Sequence, residues 1–276
     1  MTDAIRFEKV DILFGSAPQK ALPLVDSGKT REEILEATGQ VLGCADATLS
    51  VEKGAICVLM GLSGSGKSTL LRTVNGLNKV TRGKVLVSDA GAMVDVASCD
   101  EATLRRIRRL RCSMVFQQFA LLPWRTVREN AAFGLEVRGA DSSEIDRIVT
   151  EKLEIVGLAD WADKHAHELS GGMQQRVGLA RALVTDADIL LMDEPFSALD
   201  PLIRARLQDE LLELQERLNK TILFVSHDLG EAMKIGRHIA IMDGGRIVQH
   251  GPPQEILDNP ANDYVAEFVS HLGSGG

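Results

Sequence analysis

The sequence lacks an apolar run long enough to cross a bilayer, and it lacks an N-terminal basic stretch followed by an apolar one. A membrane helix needs about 20 predominantly apolar residues, and a secretion signal needs both of those N-terminal features. We therefore expect neither. The composition, 45% hydrophobic and 25% charged over 276 residues, is ordinary for a globular protein that buries a large core.

Cysteine is scarce as well, and positive charge is in deficit. The cysteines show no metal-ligand spacing, which predicts reduced cytosolic thiols. They are Cys44, Cys57, Cys99 and Cys112. The net charge of −8 argues against a nucleic-acid surface, because nonspecific binding to nucleic acid depends mainly on Lys and Arg. The arginines from Arg105 to Arg111 form a basic cluster in this acidic chain. The cluster fits a solvated helix face, and a contact with a partner is the alternative.

A glycine-rich loop follows a buried strand predicted at Ala55–Met60. The loop fits G-x-x-x-x-G-K-[ST], in which glycines turn consecutive backbone N–H groups inward around phosphate oxygens. A helix expected from about Gly66 to Gly76 adds its positive dipole end. Lys67 is the point charge for the β and γ phosphates, and Ser68 is a magnesium ligand. The residues assigned to ATP phosphate binding are Gly61, Ser63, Gly64, Ser65, Gly66, Lys67, Ser68 and Thr69.

A second apolar run, Ile189–Asp193, ends in two carboxylates. A strand buried on both faces is typical of a parallel sheet, whose carboxyl ends open at a common edge beside the phosphate loop. Asp193 is expected to hold magnesium through water, and Glu194 to polarise the attacking water as general base. Paired acids at a strand end are often only a solvated turn, but the upstream lysine loop favours the catalytic interpretation.

Together with four further motifs in a fixed order, these segments resemble the nucleotide-binding subunit of an ATP-binding-cassette (ABC) transporter. The resemblance covers nearly the whole chain. The additional motifs are Gln117 within 115–118, the signature Leu169–Gly172, the loop Ser197–Asp200, and His227 after an apolar run.

The resemblance implies that ATP is sandwiched in a homodimer. Ser170 caps a helix predicted over Met173–Val184, and Gly171 and Gly172 allow close backbone approach, which makes a second anion site. In the family this signature, to which we add Gln174, acts on the γ-phosphate held by the second copy. An ordinary capped helix is the plainer alternative.

Four other residues take implied roles. His227 donates to the γ-phosphate and orients the water, although a lone histidine is often a core residue. Gln117 contacts magnesium and the water and reports the γ-phosphate, and Asp200 couples the two copies. Phe14 occupies the position of the family's adenine-stacking aromatic, but a strand-end Phe is as often core.

The expected fold is α/β: a P-loop NTPase with a RecA-like parallel sheet core, an antiparallel β edge subdomain and an inserted α-helical subdomain. We expect one ABC ATPase domain over 1–276, in which the core takes 5–116 and 168–250, the helical subdomain 118–167 and the C-terminal helical cap and linker 252–276. Predicted edge strands are Ile5–Phe14 and Ala47–Val51, with a hairpin over Lys84–Val96. Predicted core strands are Ala55–Met60, Cys112–Phe116, Ile189–Asp193 and Thr221–Ser226, and predicted helices are Val127–Val137, Ser143–Val156 and Ile203–Leu218.

The segment 15–46 indicates which group of ABC ATPases the chain resembles. It is longer than a hairpin needs and contains a helix start with Thr30 as N-cap and Glu33 three residues on. With Phe119–Pro123 and Met173–Arg181, it is similar to the ATPases of bacterial glycine betaine, proline betaine and choline importers. Such a subunit uses ATP and Mg²⁺, pairs with two membrane permease subunits and an extracytoplasmic substrate-binding protein, and lies on the cytoplasmic face of the inner membrane.

An importer of amino acids or another small solute is the alternative, and a non-transport ABC ATPase fits less well because one short chain carries every motif. Two departures from the family pattern stand out. Met173 replaces the glutamine of many signatures, and the chain ends soon after the cassette, so regulatory CBS modules and ionic-strength gating are not expected.

Overall fold

A computed structural model describes residues 2–273 of the chain. The described residues form two compact units, the first from 2–104 and 223–273 and the second from 105–222. Within 2–273, each helix is too short or too polar to serve as a membrane span. The strands are β1 (Asp3–Phe14), β2 (Val41–Glu52), β3 (Ile56–Met60), β4 (Arg82–Asp89), β5 (Ala92–Asp95), β6 (Cys112–Val115), β7 (Ile189–Asp193), β8 (Thr221–Val225), β9 (His238–Asp243) and β10 (Arg246–Gly251).

The helices lie between and after these strands along the chain. They are α1 (Leu22–Asp26), α2 (Arg31–Thr38), α3 (Lys67–Leu71), α4 (Glu101–Leu110), α5 (Val127–Arg138), α6 (Ser142–Ile155), α7 (Gly171–Leu183), α8 (Pro201–Leu218), α9 (Leu229–Ile235), α10 (Pro253–Asp258) and α11 (Asp263–Gly273). Short 3₁₀ turns occupy 18–21, 159–161 and 166–168.

The first unit contains the predicted antiparallel sheet, in the order β2-β1-β4-β5. Phe7, in the middle of β1, faces Leu49 on one side and Val85 on the other, and its side chain is fully buried. Ala90 and Gly91, both with positive φ, make the predicted β4–β5 turn, which suits a two-residue hairpin.

The strand that precedes the glycine loop lies deep in the first unit. All five residues of β3 are buried, and β3 runs parallel to β9, which in turn pairs antiparallel with β10. The continuous apolar run at 56–60 correctly predicts such a strand. No prediction was made for β9 and β10.

The insertion packs onto the antiparallel sheet through its own small core. This cluster joins β1, the insertion and β2, and its buried members are Leu13, Ala21, Val25, Ile34, Leu42 and Ala45. The predicted cap is confirmed: Thr30 Oγ1 accepts from the Glu33 N–H and the Glu33 carboxylate accepts from the Thr30 N–H, a complete capping box.

The second unit contains the parallel pair β6–β7, with Cys112 opposite Ile189, and the helices α5 to α8. The predicted helices are present with ends shifted by one or two residues. Helix α5 begins with a second capping box, between Thr126 and Glu129. The basic stretch forms α4, in which Ile107 is buried.

Three segments differ from the predictions by more than two residues or in the number of elements. Helix α3 ends at Leu71 rather than near Gly76, because the N–H groups of Thr73 and Val74 bond three residues back and tighten the turn. Strand β2 begins at Val41 rather than Ala47, since Gly43 and the positive φ of Asp46 obscure its alternation. The C-terminal segment is two helices, and the predicted linker at 274–276 lies outside the described residues.

Candidate functional site

The glycine loop after β3 has a backbone that only glycine adopts without strain. Gly61, Gly64 and Gly66 have φ values of +140°, +79° and +103°. A Cβ on Gly61 would lie 2.1 Å from the Met242 carbonyl oxygen, and one on Gly66 would lie 2.5 Å from that of Gly43. A Cβ on Gly64 would have no atom of the described residues within 4 Å, so this side of the loop is open to a ligand.

The polar groups of the loop fit a phosphate ligand. Lys67 is buried, and its Nζ donates to the carbonyl oxygens of Gly61 (2.8 Å) and Leu62 (2.9 Å), which holds the ammonium against the loop. The buried Ser65 Oγ has no hydrogen-bond partner within residues 2–273. An unsatisfied buried hydroxyl is costly, and a ligand oxygen would satisfy it.

Ser63 is exposed at the loop's tip, and Ser68 and Thr69 are half-buried on α3. Because α3 has only five residues, the loop's N–H groups are the main anion donors and the helix dipole adds less than the sequence predicts. The hydroxyl of Ser68 is a hard oxygen ligand of the kind that magnesium accepts.

Two other predicted residues lie in the first unit. Phe14 is 41% exposed, and its ring edge lies 2.7 Å from where a Cβ on Gly43 would stand, with the Thr69 methyl group 2.9 Å from the same point. Phe14 therefore lies at the surface next to the start of α3. His227 is exposed and is therefore not a core histidine. The backbone N–H of the preceding residue, Ser226, donates to the Leu59 carbonyl on β3 at 3.2 Å.

The second unit brings the glutamine and the acidic pair together. Asp193 is fully buried at the end of β7, and Glu194, the next residue, has φ of +49°. Gln117 Nε2 donates to Glu194 Oε2 at 3.3 Å. A left-handed non-glycine residue costs free energy and is held only where its surroundings impose it.

Gln175 supplies that restraint and was not among the predicted site residues. It is 1% exposed, its Nε2 donates to the Glu194 carbonyl (3.0 Å), and its Oε1 accepts from the Ala198 N–H (3.0 Å). The sequence does contain a pattern that predicts a buried role for Gln175, because this residue lies on the same helical stripe as the buried Leu179 and Ala182. A polar residue on such a stripe needs a buried partner.

The signature begins α7 at the surface. Ser170 is the N-cap and accepts from the Met173 N–H (3.4 Å), and Ser170 and Gly171 are exposed. A Cβ on Gly172 would lie 3.1 Å from the Ala198 carbonyl oxygen, which explains the second glycine. Gln174 Nε2 bonds back to the Leu169 carbonyl (3.2 Å).

Asp200 has a structural contact of its own. It is exposed and caps α8 by accepting from the Ile203 N–H at 3.0 Å. The predicted residues thus fall in two groups: the phosphate loop, Phe14 and His227 in the first unit, and Gln117, Asp193, Glu194, the signature and Asp200 in the second. Their assigned roles stay predictions.

Comparisons with known proteins agree with this geometry. The family model described as ABC transporter matches residues 44–197. The chain is 54% identical, over 93% of its length, to the glycine betaine/proline betaine transport system ATP-binding protein ProV of Escherichia coli K12, and 52% identical, over 97%, to the glycine betaine transport ATP-binding protein OpuAA of Bacillus subtilis 168. It spans 63% of the length of each of these relatives. The dimeric ABC transporter cassette MJ0796 superposes with a TM-score of 0.78 at 28% identity, over 90% of this chain and 98% of that one.

Proposed function

The chain belongs to the ABC transporter family, and from that premise we propose that it is the ATP-hydrolysing subunit of an importer for a quaternary amine such as glycine betaine, proline betaine or choline. The hydrogen bond between Gln117 and Glu194 is the observation that supports ATP hydrolysis by this subunit. The identity of about one half to glycine betaine transport proteins supports the solute class.

Binding of ATP begins at the glycine loop. The loop N–H groups and Lys67 bind the β and γ phosphate oxygens, and the Ser65 hydroxyl gains the partner that residues 2–273 do not supply. Magnesium, when bound, neutralises phosphate charge, and Ser68, Gln117 and Asp193 are the residues that would hold it. Phe14, exposed beside α3, offers a face for the adenine ring.

Hydrolysis is assigned to Glu194. Its carboxylate accepts a proton from water, the water oxygen bonds to the γ phosphorus, and the bond from that phosphorus to the β–γ bridging oxygen breaks to release ADP. The hydrogen bond from Gln117 orients the carboxylate, and the buried amide of Gln175 holds the backbone that carries it. His227 donates to the γ-phosphate, which keeps the phosphate and the water in line.

A second copy completes the site in this proposal. The exposed tip of α7, with Ser170 and Gly171 at its start, is accessible to a triphosphate bound by a partner chain. Asp200 and Gln117 then couple occupancy of the site to the partner copy and to two membrane permease subunits. The chain acts as a peripheral protein on the cytoplasmic face of the inner membrane, and an extracytoplasmic protein delivers the solute.

Reconstitution with its membrane subunits and binding protein in liposomes tests the proposal. We expect MgATP to drive uptake of labelled glycine betaine or choline, and Glu194→Gln to abolish that uptake. Uptake of an amino acid in place of both amines would overturn the solute assignment. ATPase activity that responds to nucleic acid and ignores the membrane subunits would overturn the transport assignment.

A further inference from the structure

An arginine of the insertion reaches the phosphate loop. Arg31 Nη1 donates to the carbonyl oxygen of Gly64, in the loop, and Nη2 donates to that of Gly43, in β2, at 2.7 Å. Both bonds come from a charged donor, and such bonds are stronger than those of neutral groups. One guanidinium therefore ties the Gly64 carbonyl of the loop to the antiparallel sheet.

The position of Arg31 is set by local structure. It is the first residue of α2, directly after the N-cap Thr30, and the capping box fixes the backbone there. One turn later, Ile34 is fully buried in the insertion's small core. The guanidinium is thus presented from an anchored helix rather than from a loose loop.

The loop is shaped to receive this guanidinium. A Cβ on Gly66 would lie 3.3 Å from Arg31 Nη2, and one on Gly245 would lie 3.0 Å from the same nitrogen. The Gly245 N–H donates to the Ser65 carbonyl (3.1 Å), and the Gly245 carbonyl accepts from the Ala45 N–H (2.8 Å). The arginine and this backbone bridge hold adjacent peptides of the loop from the same side.

The contact fixes one peptide plane. The Gly64 carbonyl bonds to Arg31, and the N–H of the same peptide, from Ser65, donates to the Leu62 carbonyl (3.1 Å). Because a peptide is planar, holding both of its polar groups fixes its orientation. Gly64 is exposed and has positive φ, so Arg31 restrains the carbonyl of a residue that has wide conformational freedom of its own.

We propose that Arg31 is a positioning residue for the nucleotide: it preorganises the phosphate loop, and the insertion is thereby part of the ATP site. The proposal rests on the proposed function only in that the loop binds ATP. Preorganisation raises affinity because the cost of ordering the loop is met before the ligand arrives. By linkage, ATP must in turn stabilise the insertion.

Equilibrium binding of MgATP to the full chain tests the proposal. We expect Arg31→Ala to raise the Kd about tenfold or more, since two charge-assisted bonds are lost. Arg31→Lys keeps the charge but has no planar fork to reach both carbonyls, so its Kd should fall between those of the wild type and Arg31→Ala. Unchanged affinity in Arg31→Ala would overturn the inference, whereas a wild type without MgATP affinity would instead overturn the proposed function.

Two control variants separate positioning from simple destabilisation. Lys29→Ala removes an exposed cation that pairs with Glu33 and does not touch the loop, so its Kd should match the wild type. Arg82→Ala removes the ion pairs with Asp11 and Asp26, which attach the insertion elsewhere, so it should lower stability more than affinity. Equal losses of affinity in Arg82→Ala and Arg31→Ala would show that Arg31 only helps the insertion to fold.

Hydrogen exchange of the wild type gives a readout that needs no variant. MgATP should slow amide exchange across 31–38 as well as in the phosphate loop, because the two are linked through Arg31. The amides of α6, over 142–155, serve as the internal reference. Protection in the loop without any in α2 would contradict the proposal even if Arg31→Ala failed to fold.

Discussion

The buried amide of Gln175 donates to the backbone carbonyl of Glu194 at 3.0 Å, so the signature helix holds the backbone of the acid assigned to catalysis. Glu194 has φ of +49°, a conformation that costs free energy for a residue with a side chain. The other end of the Gln175 amide accepts from the Ala198 N–H at 3.0 Å. One side chain thus stabilises the whole turn from Glu194 to Ala198.

We expect Gln175→Ala to lower both stability and turnover. The change removes the bond from the Ala198 N–H and one of the bonds to the Glu194 carbonyl, which still accepts from the Ser197 hydroxyl at 3.0 Å. Each lost hydrogen bond contributes about 0.5–1.5 kcal/mol to the free energy of unfolding. The value of kcat should fall more than KM changes, because the phosphate loop is untouched. Urea unfolding and steady-state ATPase assays measure the two effects, with Gln215→Ala on α8 as the control. Wild-type kcat in Gln175→Ala would refute the role in holding Glu194.

Replacing Glu194 with Gln should separate binding from hydrolysis. The amide preserves size and the hydrogen bond from Gln117 but cannot accept a proton, so ATP turnover should fall about 100-fold or more. MgATP affinity should be retained, and size-exclusion chromatography should show an ATP-bound dimer. Glu213→Gln on α8 is the matched control. Full hydrolysis by Glu194→Gln would rule out this residue as the base.

Replacing Lys67 with Ala should weaken ATP binding itself. The buried ammonium lies against the loop carbonyls and is the only lysine within the loop motif at 61–68. Loss of a charged donor to phosphate is expected to raise the Kd at least tenfold. Lys53→Ala, an exposed lysine just before β3, should bind normally. Unchanged affinity in Lys67→Ala would count against the loop as the phosphate site.

The cysteines should differ sharply in reactivity. Burial raises the pKa of each of the Cys44, Cys57 and Cys112 thiols to about 12, because the thiolate is poorly solvated there. A raised pKa means that the reactive thiolate stays scarce below that pH. At pH 8, iodoacetamide should therefore modify the half-buried Cys99 in the native protein and the other three only after unfolding, as read by peptide mass spectrometry. Rapid native labelling of Cys57 would contradict this burial.

Much of the fold is readable from local sequence. The apolar runs at 56–60 and 189–193 are buried strands, and the start of α2 follows from Thr30 and Glu33 alone. These features depend on burial pattern or on partners three residues apart, so short-range rules suffice. A capping box can therefore be predicted from the sequence without knowledge of the tertiary structure.

Two of the missed features depend on partners far apart in the chain. Arg31 contacts a carbonyl 33 residues away, and Gln175 contacts one 19 residues away, which no local pattern encodes. Long-range contacts determine the roles of these two residues. Two other misses are local in origin: Gly43 interrupts the alternation of β2, and the bonds from Thr73 to the Leu70 carbonyl end α3 early.

Gly43 allows the assignment of Phe14 to adenine stacking to be tested without changing Phe14 itself. A methyl group there would lie too close to both the Phe14 ring and the Thr69 side chain, so Gly43→Ala must shift these groups or the backbone that carries the methyl group, without altering either residue. If Phe14 stacks on the base, that variant should lose more affinity for ATP than for inorganic triphosphate, which has no base. Gly43 would then affect adenine binding without contacting the nucleotide, because it leaves the space that the Phe14 ring occupies.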